Sequence, residues 1–300
     1  MSKSINYTGE AFNIFFKSVK IYFFNLPDFL KYMAFPVLGI FLGMFLILCI
    51  TYLLTQWMQT PDGAKYFFNN FLFTMIVLLI SVIPGFLLLC KAFLDYIVAM
   101  VSLSRAGFDL VATDKLVNDL KSYNSIIEYR EMHYFMLILI LSLIYGILSF
   151  PLFIILECVF FLYTCLAIQA FGHDDRLNAF EAIKKCFLVI PGHVLPTIFL
   201  LSLLGIITYI AIPVLLCWGL EALDIIKYIN IPTSIIVQQL PFDVLNQVFA
   251  DVGLPYQLSF NDISKMITTS FIATAVTMFL LPIRSIACAL WYDKLYSGEK

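Results

Sequence analysis

Between Met33 and Leu290 apolar runs recur along the chain, each long enough to cross a bilayer, with polar residues gathered between them. The first, Met33 to Gln56, contains no Asp, Glu, Lys, Arg or His. An α-helix rises about 1.5 Å per residue, so roughly 20 such residues span a hydrocarbon core of about 30 Å. The pattern predicts an all-α polytopic membrane protein with six transmembrane helices, as a single membrane domain over residues 1–300. The spans are expected at about residues 33–56, 71–90 (continuing to 104), 134–150, 152–171, 194–218 and 266–283.

The third and fourth spans need separate argument. Tyr134 to Gly172 carries one charge, Glu157, and as one straight helix it would reach about 58 Å. It must fold back. Ser149-Phe150-Pro151 is the expected turn, because proline disfavours helix in the residue before it.

Amphipathic stretches precede the spans. From Thr8 to Asn25, Phe12, Phe15, Phe16, Val19 and Phe23 recur at helical spacing, with Glu10, Asn13, Lys17 and Lys20 mostly elsewhere on the wheel. Thr8 reads as an N-cap and Pro27 as a stop. Leu177 to Ile190 repeats the design, with Leu177, Phe180, Ile183, Phe187 and Ile190 opposite Asn178, Glu181 and Lys185. The pairs Ala11-Phe12 and Ala179-Phe180, with Lys17 and Lys185 behind them, match at a constant offset of 168. Lys115 to Tyr134 is a weaker third instance. Such helices either lie among the acyl chains at the membrane surface or pack under the bundle. The candidate membrane-surface residues are Phe12, Phe16, Lys17, Phe180, Lys184 and Lys185. The segment 219–265 reads as an outer lid of net charge −3, with a short helix over Pro241 to Val252, Gly253 as its stop, and a capping box at Ser259 and Asp262.

Composition agrees with a lipid-dissolved chain. Of its 300 residues 62% are hydrophobic and only 13% charged, about half the usual charged fraction. A net charge of −2 offers no basic field for nucleic acid. Spans that alternate from an inside N-terminus put every Lys and Arg in the cytoplasm except Lys65, Lys227 and Lys265. That is the asymmetry of the positive-inside rule, and it predicts both termini cytoplasmic. The first apolar run is too long for a cleavable signal sequence, so it is expected to be a retained span.

Candidate chemistry is sparse. Glu157 falls about six residues into the fourth span; it is either a proton or cation site, or a side chain near the turn that reaches the interface. Lys91 and Asp95, one turn apart, can form an interfacial ion pair or contribute to a transport site. Pro84-Gly85 suggests a kink, either without ligands or as a broken helix that could expose carbonyls to an ion. His133, His173 and His193 lie at cytoplasmic span ends. They could line up as a metal or lipid-headgroup site, the one feature that would suit an intramembrane lipid enzyme, or be ordinary interfacial histidines; their spacing matches no metal-ligand motif. Thr268, Thr269, Ser270, Thr274 and Thr277 give the last span a hydroxyl-rich face suited to close packing. Seven cysteines include no CxxC pair, so no metal, cofactor or catalytic residue is expected.

The order of features resembles bacterial six-helix membrane proteins of the YciC-like type, relatives of the membrane domain attached to some glycerophosphoryl diester phosphodiesterases. The residues carrying the likeness are Leu26-Pro27, Phe150-Pro151, Asn178-Ala179-Phe180-Glu181-Ala182-Ile183-Lys184-Lys185, Leu281-Pro282 and Trp291-Tyr292-Asp293-Lys294-Leu295-Tyr296. The long 219–265 segment departs from the family. The resemblance implies a bacterial inner (cytoplasmic) membrane and the six-span topology, and no phosphodiesterase activity, because the sequence shows no soluble catalytic domain. The expected function is therefore a non-enzymatic scaffold or envelope-homeostasis factor whose partners are membrane lipids and other membrane proteins. The alternative is a small-solute or ion transporter using Glu157 and Pro84-Gly85.

Overall fold

Helices occupy nearly all of the computed structural model, which describes residues 7–113, 119–238, 242–253, 257 and 259–298; no strand occurs among them. In chain order the helices are α1 (Tyr7–Phe24), α2 (Leu26–Gln59), α3 (Pro61–Asn69), α4 (Phe71–Thr113), α5 (Ser125–Glu128), α6 (Glu131–Leu148), α7 (Ile154–Thr164), α8 (Ala167–His173), α9 (Ala179–Val189), α10 (Val194–Gly205), α11 (Ile212–Ala222), α12 (Ile225–Val237), α13 (Phe242–Asp251), α14 (Phe260–Phe279) and α15 (Leu281–Gly298). Short 3-10 turns cover Leu120–Asn124 and Pro151–Phe153, and a π-helical stretch, Ile206–Ala211, joins α10 to α11. Within the described residues, five stretches are long and apolar enough to cross a membrane: α2, α4 to Leu110, α6, Pro151–His173 and Val194–Ala222. A sixth forms if α14 and α15, bent by 40° at their junction, count as one span. The chain is a multi-pass membrane protein.

Local chemistry sets the boundaries. Pro27 sits at the second position of α2, where its fixed φ and missing N–H suit a helix start. It opens the span instead of only closing α1. Thr8 lies inside α1 and not at its cap. The predicted return between the third and fourth spans is present: Ser149 ends α6 and Pro151 opens the 3-10 turn. Asn178 and Glu181 exchange side chain-to-backbone bonds of 2.9 Å in both directions, a capping box that starts α9. At Ser259 the capping half is made, with Asp262 N–H donating to Ser259 Oγ at 3.1 Å, but the return bond runs from the Ser259 hydroxyl to Asp262 Oδ2 at 2.7 Å and not from its backbone N–H. Helix α13 stops at Gly253, whose φ of +75° favours glycine; Pro241 and the side chains of Asp243 and Leu245 lie outside the described residues. Of the stretch Lys115–Tyr134, description begins at Asp119 and shows a 3-10 turn and a single-turn helix.

The chain packs as two units. One comprises residues 1–39, 91–206 and 279–300, and its core holds Trp291, Tyr134, Tyr292, Phe29, Phe171 and Met33, all fully buried. Here α1 lies across α10 and α15, and α8 packs on α9 and α15. The other comprises 40–90 and 207–278. In it Phe41 meets Phe271 edge-on at 6.1 Å, and α2, α12 and α14 enclose an apolar cavity of about 370 Å3. Part of the expected lid is thus an apolar helix, α12, fastened to α14 where Ser264 and Thr268 donate to Asn230 Oδ1 at 2.6 and 2.7 Å.

Beyond the expected last span at 266–283 the chain stays helical: α15 runs to Gly298, and Ile283, Ile286, Ala287, Trp291, Tyr292 and Leu295 are buried.

Candidate functional site at the basic helix ends

A helix C-terminus leaves carbonyls without intrahelical partners. At the end of α8 two arginines supply them. Arg130, just before α6, donates from Nη1 to Phe171 O at 3.2 Å and from Nη2 to Leu177 O. Arg105, on α4, donates from Nη1 to Gly172 O at 3.1 Å and to His173 O at 3.3 Å. The Arg130 guanidinium also lies 3.8 Å from the centre of the Phe171 ring. A planar, five-donor cation can serve carbonyls and a ring face at once, which an ammonium cannot.

This placement sets the electrostatics. The Arg130 side chain is only 12% exposed. Burial lowers its pKa, Asp175 and Asp174 oppose that shift, and the like charge of Arg105 adds to it. Asp175 approaches to 3.6 Å but is itself 60% exposed. Arg105 and Arg130, with Ser122, Tyr123, Ser125, Tyr129 and Asp175, line a polar cavity of about 560 Å3.

Next to it, α4, α8 and α15 build an aromatic cluster, which Lys185 of α9 covers. The His173 ring lies 4.9 Å from Phe108, 5.5 Å from Tyr292 and 5.2 Å from Tyr296, and its Nε2 is 3.8 Å from Asp293 Oδ1. Lys185 Nζ stands 5.1 Å over Tyr296 and 3.2 Å from Asp174 Oδ2. The Arg176 backbone N–H, with Lys185 adding to it, holds the Asp174 carboxyl below the usual range against a smaller burial effect.

The two amphipathic helices carry matched faces. On α1, Ala11, Ile14, Ser18, Ile21 and Tyr22 are buried while Phe12 and Phe16 are 46% and 52% exposed. On α9, at the offset of 168, Ala179, Ala182, Cys186, Val189 and Ile190 are buried while Phe180 is 67% exposed and Lys184 is exposed. Lys17 and Lys185 are half-buried in both. Each helix therefore packs on one side and presents aromatic and basic residues on the other. Of the two sequence alternatives, packing against the bundle is present for the alanine-bearing face of each helix, while Phe12, Phe16 and Phe180 are left exposed.

The remaining candidates separate. Lys91 Nζ and Asp95 Oδ1 form an ion pair at 2.6 Å, with Lys91 largely exposed. The expected break at Pro84-Gly85 is absent: α4 runs through it uninterrupted. A proline removes one backbone bond, but in an apolar helix with no water to satisfy opened groups the rest of the ladder persists. Gly85 faces Gly43 of α2 so closely that a Cβ at Gly43 would lie 2.9 Å from Gly85 O. Glu157 is in the first turn of α7 and accepts from Ser149 Oγ at 3.0 Å across the hairpin. It sits at a helix N-terminus, where the dipole favours a carboxylate.

The three histidines have separate surroundings. His133 is exposed, His193 rests on Tyr7 at 4.3 Å, and only His173 meets a carboxylate. The last span's hydroxyls divide: Thr268 and Thr277 reach neighbouring segments, Thr277 Oγ1 donating to Thr208 O at 3.2 Å, while Thr269 and Thr274 bond back to carbonyls of α14 and Ser270 is exposed. No group of three or more His, Cys, Asp or Glu suited to a metal occurs among the described residues.

Sequence reasoning passed over Arg105 and Arg130. Their one local signal is that each is an isolated arginine at the end of an apolar run. The chain matches no protein-family model, no curated protein and no solved structure.

Proposed function

We propose that this protein is a membrane scaffold that engages anionic lipid and membrane partners at the basic, cytoplasmic face of a bacterial inner membrane, with both termini on that face. The observation carrying this reading is the matched pair of half-packed helices. Phe12 and Phe16 on α1 and Phe180 on α9 stay exposed beside Lys17, Lys184 and Lys185. Exposed aromatics flanked by lysine suit the headgroup boundary, where apolar burial and attraction to anionic lipid add. The distribution of Lys and Arg supports the orientation, and the likeness to YciC-like proteins supports the compartment. No catalytic role is assigned to any residue. The transport alternative has less support, because Glu157 is engaged by Ser149 at a turn and α4 is unbroken at Pro84-Gly85.

The test is a double substitution, Phe12→Asp with Phe180→Asp, in protein reconstituted into vesicles containing phosphatidylglycerol. With Phe16→Trp as an added donor on α1 in both proteins, dansyl-labelled lipid should receive less energy transfer from that tryptophan in the double variant than without the substitutions, at unchanged solute flux. Solute uptake by purified wild type, or unchanged transfer in the variant, overturns the reading.

A further inference from the structure

We infer that the cavity between Arg105 and Arg130 is a binding site for a phosphate group, carried by an anionic lipid headgroup or by a soluble phosphate ester. The assignment deepens the lipid-engaging reading above and rests on it, while naming a ligand group and a place that reading does not contain.

Three observations on the site converge. The first is charge. Two guanidinium groups share one cavity wall and repel each other, and one exposed carboxylate, Asp175, joins them in the lining. An anion placed between them relieves the repulsion that burial strengthens. The second is preorganisation. Both arginines are held by backbone carbonyls, Arg105 by Gly172 and His173 and Arg130 by Phe171 and Leu177. Side chains already fixed lose little further freedom on binding, and Arg is the cation that matches the planar oxygens of phosphate. The third is size and lining. At about 560 Å3 the cavity falls in the range of small-molecule sites, roughly 300–1,000 Å3, and its rim carries the hydroxyls of Ser122, Ser125 and Tyr129.

Position adds to these. Arg130 directly precedes α6, and Arg105 lies five residues before the apolar limit of α4 at Leu110. Both occupy span ends, the depth at which a bilayer's own phosphates lie. Tyr129, 94% exposed, and Met132, 75% exposed, flank Arg130. They give a lipid glycerol and its chains an amphipathic and then an apolar surface next to the charge. Phosphate chemistry is therefore met here whether the source is lipid or solute.

The experiment uses the full chain in zwitterionic detergent and follows thermal unfolding by tryptophan fluorescence. The probes are phosphatidylglycerol, phosphatidylcholine, glycerol 1-phosphate and inorganic sulfate. Removing Arg130 would strip the cap of α8, so the diagnostic variant is Ser125→Asp. It adds a carboxylate to the cavity wall at the first position of α5, where an acidic residue suits a helix start. Wild type should be half-protected at a phosphatidylglycerol concentration at least tenfold below that of phosphatidylcholine. Ser125→Asp should raise that concentration at least tenfold, and Ser125→Ala by less than twofold.

Protection by glycerol 1-phosphate as well as lipid identifies a soluble phosphate ester as a ligand, and protection by lipid alone identifies the headgroup; either upholds the site. No preference over phosphatidylcholine and sulfate, or the same preference in Ser125→Asp, overturns it. The scaffold reading is read separately through Phe12 and Phe180, which are not in the cavity lining, so the two failures are distinguishable.

Discussion

Trp291 donates its indole N–H to Thr197 Oγ1 at 2.9 Å, with both residues fully buried, and so ties α15 to α10. Thr197 Oγ1 also donates to His193 O at 2.7 Å. The hydroxyl therefore serves the indole and its own helix together. Thr197→Val keeps the shape and leaves the indole N–H without an acceptor. Such an orphaned buried donor costs about 1–3 kcal/mol, and Trp291→Ala, which empties a large buried volume, about 3–5 kcal/mol. Both should lower the midpoint of denaturant unfolding in detergent micelles. Equal midpoints for Thr197→Val and wild type would mean the bond contributes nothing.

Glycine at 43 is required by contact with α4. A Cβ there would stand 2.7 Å from Leu89 N and 2.9 Å from Gly85 O, both backbone atoms. Gly43→Ala must push α2 and α4 apart, at about 1–3 kcal/mol. Gly146 and Gly205 meet nothing within 4 Å. Gly146→Ala, in the interior of α6, should be neutral or stabilise by up to about 1 kcal/mol through helix propensity. The contrast between Gly43→Ala and Gly146→Ala, read as melting temperature in one detergent, checks whether proximity or propensity governs.

Much of this fold is legible in the chain because hydrocarbon demands long apolar helices and water demands turns. The return at Phe150-Pro151 and the cap at Ser259 follow from local rules, whereas the packed faces of α1 and α9 do not: Phe12, Phe16, Phe23, Phe180 and Phe187 stay exposed while Ala11 and Ala179 are buried. Helix α15 beyond residue 283 does not stand out by apolarity, because Arg284, Asp293 and Lys294 interrupt it. Yet Ile283, Ile286, Ala287, Leu290, Trp291 and Leu295 recur at helical spacing, so period, rather than mean apolarity, marks it. The arginine cavity was not legible at all. Arg105 reaches carbonyls 67 and 68 residues away and Arg130 reaches ones 41 and 47 away, relations that exist only after the bundle has formed. At Pro84 the lost backbone donor does not end the helix, which continues through it over 43 residues.

Arg130 should not tolerate lysine. An ammonium cannot reach Phe171 O and Leu177 O together while lying flat on the Phe171 ring. Hydrogen bonds from a charged donor contribute about 1.5–3 kcal/mol each. Arg130→Lys should therefore lose at least one such increment, with Arg130→Gln losing more. Unfolding midpoints of the two variants against wild type give the order, and a silent Arg130→Lys would show that the α8 carbonyls are satisfied otherwise.

Acid should loosen the junction of α8 and α9 through Asp174. Its carboxyl is held below the usual range by the Arg176 backbone N–H and by Lys185. A group whose folded pKa is depressed contributes stability that is complete above the unfolded value, about 3.9 for Asp, and is lost as pH falls through the folded value. Stability should thus decline below about pH 4, and part of the decline should disappear in Asp174→Asn. Parallel stability-versus-pH curves for the two proteins from pH 6 to 3 would remove Asp174 as a cause.

The proposed orientation fixes which residues meet which aqueous phase. Phe150 stands exposed at the hairpin between α6 and α7, and Lys184 stands exposed on α9. Alternating spans with the basic segments inward put the first outside and the second in the cytoplasm. Cysteine introduced singly at each position can be probed with a membrane-impermeant maleimide. Exposed Cys158 and half-buried Cys49, Cys90, Cys165 and Cys217 are first replaced by Ser, while Cys186 can stay because it is buried and its thiol is pushed up to about 12, far from the reactive thiolate at neutral pH. In right-side-out vesicles Phe150→Cys should label at once and Lys184→Cys only after the membrane is opened. The reverse order would invert the topology and move the exposed aromatics of α1 and α9, and with them the phosphate cavity, to the outer leaflet.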